Sequence, residues 1–455
     1  MTDTDTENAI ADGAEPPTPW HLQGNFAPVR DEVDVGDLEV IGQLPEGLDG
    51  TYIRNGFNPR TGFSPHWFFG HGMVHAVDLD EGRARYHNRY VDTSFKDHDG
   101  SGIDWVLDPD CSPANTHVVR HNGRWLALEE QHKPIALDDR LDTVGVEDFG
   151  GAVTSTFTAH PKVCPDTGEL LAFGYNVVTE PYLTYFRIGA DGEVLAVEPI
   201  EIPNPVMMHD WNVTENHVVF MDLPVRFGLE RAMAGDLPFG WDPESGARLG
   251  VMPRSGTNAD VTWHEIEPCY VFHPLNAYED GDRIELLVCR QERAMAGGFD
   301  DIESARAHLW RWSIDQVTGT VTETQLDDRI ADFPRVDDRL VGRGNRYGYL
   351  TQIREEPGIG AAIGAELYKY DLRDGGVETH TTNATTRLGE PLFAPAGPDA
   401  GEDEGWVLVY ATDEAEGVTE LRVIDAQDFA GEPVARVVLP QRVPYGAHGS
   451  WLAAD

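Results

Sequence analysis

The feature that most constrains this chain is its rhythm. From Trp20 onward, short apolar runs rich in β-branched and aromatic residues are broken by Gly, Asp, Asn and Pro. Examples are LEVIGQL, GTYIRNG, MVHAVDLD, ARYHNRYVDT, DRIELLVCR and WVLVYATD. Turn signals recur about every 8–12 residues, the pattern of an all-β sandwich, barrel or propeller. Amphipathic helices are scarce, and only Arg226–Ala234 and Asp300–Ala307 read as short ones. The 455 residues would suggest two or three domains by length alone, but an all-β ring can run this long as one. No internal repeat of fixed period stands out. The expected organisation is an acidic, disordered segment over residues 1–18 and one domain over residues 19–455.

Four histidines narrow the choice among β architectures. His209 follows the apolar run Val206-Met207-Met208 and precedes a polar turn, so it reads as the end of a strand. His160 in FTAHPKV, His273 in CYVFHPLNAYED and His448 in PYGAHGSW occupy similar places. They are far apart in sequence, and a propeller brings the innermost strand of every blade to one axis. The four are therefore expected to share one centre. Neutral imidazole suits iron, zinc, copper and nickel, and carboxylates should accept from the outward N–H groups to fix each tautomer. The remaining histidines, including His66, His71, His75 and His264, read as ordinary core or turn residues.

Composition excludes several function classes. The formal net charge is -45, and of the 34 basic residues only Lys96, Lys133, Lys162 and Lys369 are lysine. No basic patch exists to bind nucleic acid. So acidic and lysine-poor a surface fits a protein held soluble in concentrated salt, a halophilic one. Cys111, Cys164, Cys269 and Cys289 show no CxxC spacing and read as reduced, mostly buried residues of a cytoplasmic protein. The N-terminus lacks the features of a signal peptide, and no apolar run approaches the ~18 residues of a membrane span.

Taken in order, the motifs TYIRNGFNP, HWFFGHGMVHAV, HNRYVDT, FTAHPKVCPDTGEL, MMHDW, GVMPR, EPCYVFHPLNAYED, FPRVDDRLVGRGNRYGY, GEPLFAP and RVPYGAHGSW make the chain resemble one family from Gly24 to its last histidine. That family is the iron-dependent carotenoid cleavage oxygenases, which include apocarotenoid and stilbene oxygenases and the retinal pigment epithelium isomerohydrolase. The resemblance implies a seven-bladed β-propeller with a cap of loops and short helices over one face. It implies one Fe(II) per chain, bound by His160, His209, His273 and His448, with O2 as co-substrate and no organic cofactor. Three acids would orient three of those histidines: Glu130 in LALEEQ (with adjacent Glu129 the weaker match), Asp332 before FPR, and Glu390 in GEPLF. The family has glutamate where Asp332 stands, so contact through water or a shifted strand is expected there. Thr116 matches a threonine that crowds an open coordination position.

The implied reaction is oxidative cleavage of a C=C bond in an apolar carotenoid or apocarotenoid, giving two carbonyl products. Stilbene-cleaving members resemble each other in a lysine just before the first glutamate, where this chain has Glu129; Lys133, off the motif, reads as a solvated surface lysine. Stilbene cleavage, O2-independent isomerisation or hydrolysis, and a non-catalytic propeller binding an apolar ligand are the alternative readings. The resemblance also places a membrane-grazing patch at Phe227, Leu229, Met233, Leu237 and Phe239, with a cap helix packed on the propeller as the other reading. No protein partner is implied.

Overall fold

The structure is a computed structural model describing residues 18–102, 104–234, 238–297, 306–356 and 360–454. The N-terminal segment expected to be disordered, Leu237, and nearly all of the second short helix expected from sequence lie outside these residues. Among the described residues, seven antiparallel sheets of four to six strands follow one another around a ring, with one two-stranded sheet besides. This is the expected seven-bladed β-propeller.

Blades two to six are built from consecutive strands. Blade two begins with His117–His121, blade three with Lys162–Val163, blade four with Asn212–Val213, blade five with Tyr270–Asp280 and blade six with Ala331–Arg335. Blades one and seven join the two ends of the chain. In blade one, the last strand, Gly449–Ala453, pairs with Gly50–Phe57 in the register Arg54↔Gly449 and Ile53↔Ser450. In blade seven, Val40–Gly42 pairs with Ala435–Val438. Ring closure thus rests on pairing between residues some four hundred positions apart.

Burial explains why the runs are apolar where they are. In blade three, the strand Leu170–Tyr175 is buried along its whole length, whereas the outer strand Val194–Ile200 alternates in burial. A middle strand is covered on both faces by neighbouring blades; an outer one shows a face to water. The core is accordingly a ring of clusters between blades. Ile53, Val74 and Val118 join blades one and two, while Leu171, Phe220 and Trp312 belong to one cluster spanning blades three to five. Leu408 and Tyr52 close the ring between blades seven and one.

Insertions between strands gather over one face. They carry Trp67–Phe69, Trp105 and the hairpin of Val225–Phe227 with Phe239–Trp241. The expected short helix is present as Leu229–Ala234, beginning three residues later than the sequence suggested because Val225–Phe227 pairs as a strand. Lys133 is a correction. Its side chain is 13% exposed and bonds Asp110 at 2.8 Å, so it is packed and paired rather than solvated. All four cysteines are free and buried.

Candidate metal centre

The innermost strands converge, and every blade contributes one residue of interest near the start of its innermost strand. In chain order these are Thr116, His160, His209, His273, Asp332, Glu390 and, from blade one, His448. A β-strand ending at the axis can aim one side chain inward, and seven such strands make a ring of inward positions.

The four histidines meet. One nitrogen from each lies within 4.8 Å of all the others. The Nε2 atoms of His160 and His209 are 3.0 Å apart, and those of His209 and His273 are 3.1 Å apart. His160, His273 and His448 are buried. Three of the four, His209, His273 and His448, have their outer nitrogens fixed by acids. His209 Nδ1 lies 3.0 Å from Glu130 Oε2, His273 Nδ1 2.9 Å from Asp332 Oδ1, and His448 Nδ1 2.9 Å from Glu390 Oε1. With each Nδ1–H donating outward, three Nε2 lone pairs point at one another, which is unfavourable unless a cation lies between them. The spacing suits one: at a metal–imidazole distance of about 2.1 Å, ligands at right angles stand about 3.0 Å apart. The donor set therefore fits a single nitrogen-bound transition metal.

Electrostatics agree with that reading. Burial, reinforced by the neighbouring imidazoles, holds His160 and His448 well below the usual histidine range, which favours the neutral form that could bind a metal. Burial pulls His273 the same way, but the Asp332 carboxylate outweighs it and lifts the group above its ordinary value.

Asp332 reaches its histidine directly, so no bridging water is needed. The strand departs from regular geometry here: register slips between Asp332 and Arg335, and Phe333 has a φ of 53°. That left-handed conformation is uncommon for a bulky residue. Asp332 Oδ1 accepts from Phe333 N at 2.8 Å, and the Phe333 ring stacks on His273 at 5.2 Å. The shorter acid thus meets its histidine directly, beside an irregularity in the strand.

Glu130, not Glu129, holds His209. Glu129 instead accepts from His132 Nδ1 and from Gln131 N, while still lining the cavity beside the site. Thr116 also lines that cavity. Its hydroxyl donates to Asn115 Oδ1 at 3.0 Å, and its carbonyl accepts from His448 N at 2.9 Å. His117, one of the histidines expected to be ordinary core residues, is one: its Nδ1 contacts Ala159 O and its Nε2 contacts Gly449 O, both at 3.0 Å. With both nitrogens occupied it is no ligand. It braces the neighbours of His160 and His448, and burial first, then His448, lowers its pKa to about 3.

The cavity over the histidines measures about 320 Å³, within the usual range of ligand pockets. Phe57, Trp67, Phe68, Phe69, Trp105 and Phe272 supply much of its wall, and His209, His273 and His448 reach it. The proposed membrane patch divides. Phe227 and Phe239 pack together at 5.8 Å and line this cavity, whereas Leu229 and Met233 are 57% and 80% exposed. No helix among the described residues is long and apolar enough to cross a membrane.

Comparison with known proteins agrees with the geometry. The family model described as retinal pigment epithelial membrane protein matches residues 26–453. A carotenoid cleavage oxygenase of Mycobacterium tuberculosis is 38% identical, over 97% of this chain and 99% of its own. Among solved structures, the Pseudomonas brassicacearum lignostilbene dioxygenase superposes with a TM-score of 0.88 at 30% identity, covering 97% of this chain and 100% of the other. The cobalt-substituted Synechocystis apocarotenoid oxygenase does so with a TM-score of 0.84 at 26% identity, covering 94% and 97%.

Proposed function

The chain belongs to the carotenoid cleavage oxygenase family, and from that premise we propose that it is an iron-dependent dioxygenase cleaving one C=C bond of a carotenoid or apocarotenoid into two carbonyl products. The observation that carries this reading is the convergence of four imidazoles, three with tautomers fixed by acids, beside an apolar cavity. His160, His209, His273 and His448 would hold the iron. When bound, ferrous iron supplies the redox access that lets dioxygen react with an alkene.

The chain's own residues do the rest. The aromatic wall takes the polyene out of water and restricts how it lies over the histidines. Glu130, Asp332 and Glu390 keep three imidazoles turned inward and offset the charge of the metal. Thr116 narrows the approach beside His448. Both atoms of O2 enter the products, one per carbonyl, so no further reductant is required.

A second reading, stilbene cleavage, draws support from the similarity to the lignostilbene dioxygenase. Against it stands Glu129, an acid rather than a lysine, already engaged by His132. Incubation of the Fe(II)-loaded protein with carotenoids, apocarotenoids and hydroxystilbenes, in air and under nitrogen, separates these readings by mass spectrometry. Aldehydes formed only in air from a polyene are expected. Aldehydes from the stilbene alone would favour the second reading, and product formed equally without O2 would contradict both.

The setting follows from charge and exposure. The net charge of -45 supports work in a cytoplasm of high salt, and exposed Leu229 and Met233 beside the cavity-lining Phe227 support contact with a membrane that holds the substrate. The same assay run from low to molar KCl should show activity rising with salt. Liposome co-sedimentation should weaken in a Leu229→Ser/Met233→Ser variant; unchanged pelleting would refute the contact.

A further inference from the structure

The acids behind His209, His273 and His448 are not equivalent. Among the described residues, Glu130 and Asp332 each form an ion pair with their histidine alone. Glu390 has a second partner: Arg335 Nη1 lies 3.7 Å from the same Oε1 atom that meets His448 Nδ1 at 2.9 Å. The other oxygen of Glu390 accepts from Gly449 N at 2.7 Å, and Arg335 Nη1 donates to Gly449 O at 3.3 Å. Arg335 therefore holds both the carboxylate behind His448 and the carbonyl of the next residue. The Glu390 side chain is 3% exposed and that of Arg335 16%, so little water screens the pair. The guanidinium's other ion pair, to Asp338 at 3.5 Å, is with a side chain 60% exposed and is the weaker of the two.

The strand Ala331–Arg335 is shaped to deliver this contact. Asp332 and Arg335 are three residues apart, and in a regular strand an odd separation puts side chains on opposite faces. Here Asp332 pairs with Thr351 and Arg335 with Tyr349, so three steps on one strand meet two on its partner. That is one extra residue, a bulge, and Phe333 inside it has the φ of 53°. The bulge turns both side chains toward the axis, Asp332 to His273 and Arg335 to Glu390. A carboxylate accepting from Nδ1–H makes an imidazole a stronger donor to a metal, and a cation on that carboxylate draws the charge back.

We infer that Arg335 is a positioning residue for the metal: acting through Glu390, it makes His448 the weakest electron donor of the three acid-backed ligands and holds the potential of the iron up, favouring the ferrous form that reacts with dioxygen. This deepens the iron-dependent oxygenase reading and rests on it.

The test is the ferric–ferrous midpoint potential of the iron-reconstituted full chain, titrated while the ferric signal is followed by electron paramagnetic resonance. Arg335→Gln removes the charge and keeps a donor for Gly449 O. At a fixed potential it should raise the ferric-to-ferrous ratio about tenfold, a fall of about 59 mV for one electron. Arg335→Lys, which keeps the charge but not the fork, should stay within about threefold of the unaltered protein. In a Glu390→Gln background, Arg335→Gln should produce less than half its shift, because the carboxylate that relays it is gone. An unmoved potential in Arg335→Gln, an equal fall in Arg335→Lys, or a full shift in the Glu390→Gln background would overturn the inference. Carotenoid cleavage in air, measured in parallel, reports on the underlying reading. The expected shift with no cleavage by the unaltered protein would overturn the oxygenase and leave the role of Arg335 standing, whereas cleavage with an unmoved potential would overturn the role of Arg335 alone.

Discussion

Three of the four histidines reach the cavity, and each rests on a carboxylate at 2.9 or 3.0 Å; His160 does neither. Its Nδ1 lies 3.4 Å from Asp210 Oδ2, and Asp210 is already bonded to Lys162 Nζ at 2.8 Å and to Trp211 N at 2.7 Å. His160 is held through its backbone instead: its N–H donates to Thr158 Oγ1 at 2.9 Å, and its carbonyl accepts from Trp211 Nε1 at 3.0 Å. Trp211 is fully buried in the cluster spanning blades three to five. Where core packs against a ligand, packing fixes its orientation. Where a ligand borders an open cavity, a carboxylate does so.

That contrast can be broken by substitution. The largest effect is expected from His273→Ala, which removes a ligand and exposes Asp332 without its partner. Iron content after reconstitution and cleavage rate should both fall to background; retention of a full iron complement would refute the site. Glu390→Gln comes next. It preserves shape but loses the charge, and the affinity for iron should fall by about 10–100-fold, read by chelator competition. An unchanged affinity would mean the acids do not tune the metal. Asp210→Asn should be mild, within about threefold in iron affinity, because His160 does not depend on that carboxylate; a loss as large as that of Glu390→Gln would erase the difference between the two kinds of ligand. Smallest is Asp332→Glu, which restores the acid the family usually has. Activity should stay level or rise, unless the bulge at Phe333 has adapted the strand to the shorter side chain, in which case kcat drops and the aspartate is the fitted residue.

The strand rhythm and the four strand-end histidines were legible in short local patterns, whereas the acids behind three of the histidines came only through the family resemblance. The ring was expected from the shared histidine centre and the resemblance, but not its pairings. That seven blades each deliver one residue to the axis depends on pairings such as Arg54↔Gly449, which no local window contains. Lys133 read as solvated because its partner, Asp110, comes from a preceding loop. The direct bond from Asp332 was hidden because a slip in register is invisible in a string of letters. Phe227 and Phe239 read equally as a membrane-grazing patch or as part of a packed cap; hairpin pairing places them against the cavity.

The central claim is that one iron sits among these four imidazoles, and X-ray absorption at the iron edge on the Fe(II)-reconstituted protein tests it most directly. The expected result is one iron per chain with four nitrogen ligands at about 2.1 Å, the usual metal–imidazole distance. Sub-stoichiometric iron, a sulfur ligand, or a shell with fewer than four imidazoles would contradict it.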